Sequence, residues 1–188
     1  MNNTFYFLRH AETSPDKERP VSTWVLSRKG EEQARQVAES GAFDEMDIII
    51  TSAEEKAFQT AKPLATKLRK EITRYHELNE IHRDKGGYLE LEEFEEAVKF
   101  GLGDIYASEH HWETAHEALE RFSRKVEEIE DAHDDKKILI VAHGMVINLY
   151  FAKILDKLDH VYERLQENSF CDWGVIHNNK VEKDIVKE

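Results

Sequence analysis

Three short apolar runs, each followed by a stretch with helical spacing, limit the fold of this chain more than any other feature. Thr4–Leu8 is rich in aromatics, Met46–Thr51 holds three consecutive isoleucines, and Lys137–Ala142 carries Ile-Leu-Ile-Val. Runs of this length without polar alternation suit strands covered on both faces, and such strands are mostly parallel because crossover helices lie over the sheet. Helical patterns follow at Arg28–Ser40, which ends at Gly41, at Glu55–Arg69 and at Met145–Leu155. The order β-α-β-α with a later β-α is that of an open α/β sheet.

Between the second and third runs the pattern is helical. Leu91, Phe94, Ala97 and Val98 form one stripe, and Ala115, Leu119, Phe122, Val126 and Ile129 another; both have the spacing of a helix with one buried face. Gly101–Ser108 separates them. Ile72–Tyr75 is a weaker strand, and Asp172–His177 predicts a last strand that turns at Asn178-Asn179. Pro63 is expected to kink or restart its helix, because it removes a donor and crowds the preceding turn. The expectation is a single domain over residues 1–188: an α/β, three-layer α/β/α sandwich with a mostly parallel central sheet and a helical cap segment at about 86–132.

A formal net charge of −13 repels phosphate backbones and anionic lipid, so neither nucleic acid nor membrane is expected as a partner. The single Cys171 excludes an intramolecular disulfide and a multi-cysteine zinc site, which fits a reducing compartment. Met1–Thr4 lacks a positive charge, and Arg9 and His10 follow Phe5–Leu8 at once, so no signal peptide is drawn and a cytoplasmic location is expected. Ile138–Leu155 is interrupted by His143, Gly144, Asn148 and Lys153 and reads as strand, turn and buried helix rather than a membrane span.

Chemistry-bearing residues gather where predicted strands end: Arg9-His10, Ser52 to Lys56, and His143-Gly144. Parallel strands deliver their carboxyl ends to one sheet edge, where helix N-termini also point N–H groups at anions. Two histidines, an arginine and a lysine converging in an acidic protein suggest a small anionic ligand, with phosphate first.

The segment Leu8-Arg9-His10-Ala11-Glu12-Thr13 resembles the RHG signature of the histidine phosphatase superfamily, also called phosphoglycerate mutase-like. Leu26-Ser27-Arg28-Lys29-Gly30 through Gln33-Ala34 resembles that family's LT-x-x-G-x-x-QA helix start. Ser52 through Lys56-Ala57-Phe58-Gln59-Thr60-Ala61 is similar to its S-x-x-x-RA-x-QTA segment, Leu78-Asn79-Glu80 to its acid-bearing L-x-E, and Val141-Ala142-His143-Gly144 to its second histidine motif. Five ordered segments over nearly the whole chain are far more specific than any one motif.

The resemblance implies a phosphatase without metal or cofactor, acting on a small phosphorylated metabolite through a phosphohistidine. Within it His10 is the nucleophile, with an unprotonated ring nitrogen favoured by like-charge repulsion from Arg9, Lys56 and His143. Arg9, Lys56, Thr13 and the Gly144 N–H form the phosphate cradle, with His143 beside it. Glu80 serves as acid and then base, and Glu77 is its nearest rival. Two positions depart from the pattern: Ala11 stands where the signature often has glycine, and Lys56 where the family has arginine. Lysine offers a point charge rather than a planar fork, so a looser pocket is expected, with Arg83 or another side chain filling in, and Glu54 and Glu55 disfavouring highly anionic substrates. Mutase-type phosphotransfer and protein phosphohistidine phosphatase activity stay open within the family. A catalytically weak phosphate-binding or regulatory module is the competitor from another class. His110, His111, Glu113 and His116 lack metal-ligand spacing, and Trp112, Phe94, Phe100 and Tyr106 either line the pocket mouth or pack as core.

Overall fold

The computed structural model describes residues 2–186. In chain order its elements are β1 (Thr4–Arg9), α1 (Arg28–Glu39), β2 (Ile48–Ser52), α2 (Glu55–Leu68), β3 (Ile72–Tyr75), α3 (Leu91–Gly103), α4 (Ala115–Ala132), β4 (Lys137–Ala142), α5 (Gly144–Leu155), α6 (Val161–Glu167), β5 (Trp173–His177) and β6 (Lys180–Lys183), joined by short 3-10 turns. One sheet runs β3-β2-β4-β1-β5-β6. Its first four strands are parallel, and β5 and β6 add an antiparallel edge.

Strand alternation divides the core into two layers. Phe5, Phe7, Ile50, Ile138 and Ile140 face a cluster built with α4 and α5. Leu8, Ile49, Leu139 and Val141 face the opposite cluster, closed by Ala38 of α1 and Ala57, Ala61 and Leu64 of α2. The three-layer α/β/α sandwich follows from this two-sided burial. Within the segment 86–132 the two helices differ in role. α4 buries Leu119, Phe122, Val126 and Ile129 in the sheet-facing core with α5, whereas Leu91, Phe94 and Val98 of α3 line a cavity at the carboxyl edge of the sheet.

Local chemistry sets the element ends. Ser27 caps α1 by accepting the Gly30 N–H at 3.0 Å, and Thr114 with Glu117 forms a capping box on α4. At Gly30 a Cβ would stand 1.9 Å from the Glu12 carbonyl oxygen; glycine lets α1 press against the loop that follows His10. Of the kink or restart expected at Pro63, a restart does not occur: α2 is one continuous helix from Glu55 to Leu68 with Pro63 inside it. Buried Ala61, Leu64 and Ala65 around Pro63 hold the helix in place against the loss of one backbone bond. α6 and β6 have no counterpart among the predicted elements. β6 follows Asn178 and Asn179, whose φ angles of 50° and 56° form the two-residue hairpin that asparagine tolerates. No helix among the described residues is long and apolar enough to cross a membrane.

Candidate active site

Arg9, His10, Thr13, Lys56, Glu80, His143 and Gly144 all line one cavity of about 430 Å³. Their strands explain the convergence: β1 ends at Arg9, β2 ends before the Lys56 turn, and β4 ends before His143. The predicted site residues are thus brought together, and Glu77 is not among them. It is exposed and stands 3.6 Å from Lys125.

His10 is buried, and its Nδ1 lies 2.7 Å from the Ala11 carbonyl oxygen. Nδ1–H donates there, which leaves Nε2 with the lone pair. The ring stands 5.1 Å from that of His143 and 5.6 Å from that of Phe170. Burial is the main cause that holds His10 well below the ordinary histidine range, with His143, Lys56 and Arg9 adding to it. Repulsion by the neighbouring cations, the cause expected from sequence, is therefore secondary.

His143 is fully buried and held neutral by burial first, then by Lys56 and Arg83. Ser52 fixes its tautomer. The Ser52 Oγ accepts the Glu54 N–H at 3.2 Å and lies 2.7 Å from His143 Nε2, the acceptor within reach of the serine proton among the described residues; with the serine donating to Nε2, the histidine proton sits on Nδ1. That Nδ1–H has no partner among the described residues.

Glu80 sits under the N-terminus of α5. One carboxylate oxygen accepts from Met145 N at 3.0 Å, and the other from Val146 N at 3.1 Å and Ile81 N at 3.0 Å. Those amides favour the anion, yet burial outweighs them and raises the Glu80 pKa above the usual carboxylate range.

Arg9 donates through Nη1 to both the backbone oxygen and the side chain of Asn168 and lies 4.7 Å from the Phe170 ring centre. A Cβ at Gly144 would come within 3.1 Å of the Arg9 guanidinium, so glycine there gives the arginine its room. Neither Asn168 nor Phe170 was singled out from sequence, since both lie far along the chain from Arg9 and outside any motif.

Lys56 is buried, and its ammonium is already answered. Nζ lies 2.6 Å from Glu54 and donates to the Val21 carbonyl oxygen at 2.9 Å. The other Glu54 oxygen accepts the Glu80 N–H at 2.9 Å. Glu54, expected as a nearby repulsive charge, is instead the buried partner of Lys56 and a strut for the Glu80 segment. Phe94 and Trp112 line the cavity, while Phe100 and Tyr106 are exposed. Glu113 pairs with Arg121 at 2.7 Å. No group of three or more His, Cys, Asp or Glu among the described residues is arranged to hold a metal.

The sequence matches the histidine phosphatase superfamily (branch 1) over residues 5–186. A curated relative, the uncharacterized phosphatase PhoE of Bacillus subtilis (strain 168), is 31% identical over 150 residues, 78% of this chain and 75% of that protein. Among solved structures, the native mycobacterial glucosyl-3-phosphoglycerate phosphatase superposes with a TM-score of 0.82 at 18% identity over 100% of both chains. Bacillus stearothermophilus YhfR does so with a TM-score of 0.78 at 22% identity, over 96% of this chain and 95% of its own. The structural likenesses establish the fold, and the match along nearly the full length establishes more: the chain belongs to the histidine phosphatase superfamily.

Proposed function

We propose that this protein hydrolyses phosphomonoesters of small metabolites through a phosphohistidine on His10, with Glu80 as the proton donor and acceptor. The observation that carries the proposal is the pairing of a neutral His10, its Nδ1–H tied to the Ala11 carbonyl, with a buried carboxyl of raised pKa in the same cavity. Nε2 attacks phosphorus, the bond to the leaving oxygen breaks, and Glu80 gives that oxygen its proton. Water then attacks the phosphorus, Glu80 takes the water's proton, and the N–P bond breaks to release phosphate and free His10. Arg9, the His143 Nδ1–H and the Gly144 N–H stabilise the phosphoryl oxygens, with Lys56 and Thr13 beside them. The chain itself supplies nucleophile, acid and cations, so these steps need no metal.

The relatives support the substrate class. PhoE carries the name of a phosphatase, and structural neighbours are named for phosphatases of glucosyl-3-phosphoglycerate and phosphoserine. A cavity of about 430 Å³ with Trp24, Tyr88, Phe94 and Tyr162 in its walls suits a small ester whose alcohol presents apolar surface. The test is hydrolysis of p-nitrophenyl phosphate in EDTA by the wild type and His10→Ala. We expect EDTA-insensitive turnover and a loss of about 10⁴-fold or more in the variant. Turnover that survives His10→Ala overturns the proposal. A wild type that binds vanadate without turnover favours the binding-module reading.

A further inference from the structure

We infer that Arg83, on the segment just after Glu80, supplies the two-pronged guanidinium contact to the reacting phosphoryl group, in place of the charge that Glu54 occupies on Lys56. The inference rests on the proposed phosphatase reading for the identity of the anion. The cavity's positive charges differ in how far they are already committed. Lys56 is locked between Glu54 and the Val21 carbonyl, and a point charge paired at 2.6 Å has little left to offer a second anion. Two guanidinium groups line the cavity among the described residues, those of Arg9 and Arg83. Arg9 donates through Nη1 to Asn168, while its Nε–H has no partner among the described residues and stays available to the same anion.

Arg83 takes part in none of the ion pairs formed among the described residues. Its guanidinium carbon instead stands 4.8 Å from the ring centre of Phe94 and 5.8 Å from that of Trp112, which fixes the plane and leaves the edge N–H groups for a ligand. Its field reaches both Glu80 and His143, where it ranks among the charges acting on each. Arg83 is half-buried, and the fields of Glu80, Glu54 and Asp84 reach it without any of these carboxylates forming an ion pair with it, so an anion in the cavity would supply the missing direct contact. The backbone that carries Arg83 is also held rigidly. Arg121 donates to the carbonyl oxygens of Glu77, Asn79 and Glu80, and the His82 N–H donates to Glu113 at 3.0 Å. A fork on so rigid a support is pre-organised for a tetrahedral oxyanion.

The experiment compares wild type, Arg83→Lys and Arg83→Ala on p-nitrophenyl phosphate and phosphoserine, with vanadate inhibition measured alongside. We expect kcat/KM to fall on the order of tenfold to a hundredfold in Arg83→Lys on both esters, with vanadate binding weakened in parallel. Millimolar guanidinium should partly restore Arg83→Ala and leave the wild type unchanged. A loss confined to phosphoserine, with vanadate binding intact, overturns the inference and assigns Arg83 to the carboxylate of the leaving group. Unchanged kinetics in Arg83→Lys overturns it outright. If Arg83→Ala does not fold, Arg83→Lys with a wild-type melting temperature decides. Vanadate binding reads Arg83 even in a protein without turnover, so the inference and the proposed function fail separately.

Discussion

Removing the charge of Glu54 while keeping its shape isolates the buried pair at the centre of the site. Glu54 and Lys56 are 6% and 3% exposed and meet at 2.6 Å. At an effective dielectric of about 20 their attraction is about 6 kcal/mol, largely offset by the cost of taking both charges out of water. Glu54→Gln retains an oxygen for the Glu80 N–H but leaves the ammonium with the Val21 carbonyl and no counter-charge, which should cost about 3–5 kcal/mol. For a chain of this size that lowers Tm by about 10 °C. Lys56→Met strands the carboxylate instead and should cost a similar amount. The double variant buries neither charge, so it should be more stable than the sum of the singles predicts by about 3 kcal/mol. Urea unfolding of all four proteins measures the coupling. Additivity to within about 0.5 kcal/mol refutes the view that Glu54 neutralises Lys56.

Other consequences follow from the same geometry. The proposed mechanism requires neutral His10 and protonated Glu80, so kcat/KM should rise with pH through the depressed His10 pKa and fall through the raised Glu80 pKa. An alkyl phosphate should therefore show a bell-shaped profile between those two pKa values, while p-nitrophenyl phosphate, whose leaving group needs no proton, should lose the alkaline limb. Identical profiles for the two esters count against Glu80 as the acid. Ser52→Ala removes the hydroxyl that sets the His143 tautomer; kcat/KM should fall about tenfold with little change in Tm, and Ser52→Thr should recover part of it. Gly30→Ala drives a Cβ into the Glu12 carbonyl and should cost about 1–3 kcal/mol in urea unfolding.

The sandwich and the site's location were legible because strands buried on both faces leave unbroken apolar runs, and because the residues after them share one sheet edge. β6 left no such trace. Lys180–Lys183 is a mostly exposed edge strand with one apolar residue, the half-buried Val181, so no apolar run marks it in the sequence. The paired asparagines before it were the available hairpin signal. At Pro63 the helix did not restart, since buried Ala61, Leu64 and Ala65 hold α2 in place around a local helix breaker. The convergence of His10, His143, Arg9 and Glu80 on one cavity was readable from strand ends and motif order. The role of Glu54 was not, because a glutamate beside a lysine in sequence looks alike whether it is solvated or buried against it. The hold of Asn168 on Arg9 spans 159 residues, a separation that local patterns do not reach.

The proposed mechanism requires a covalent bond between phosphorus and His10 Nε2. Wild-type protein mixed with a phosphomonoester, quenched within milliseconds into alkaline denaturant and analysed by mass spectrometry, should carry one phosphoryl group on the peptide that contains His10. Glu80→Gln should alter the amount of this species and His10→Ala should abolish it. Turnover without any phosphorylated peptide, or a phosphoryl group on His143 instead, would contradict the mechanism.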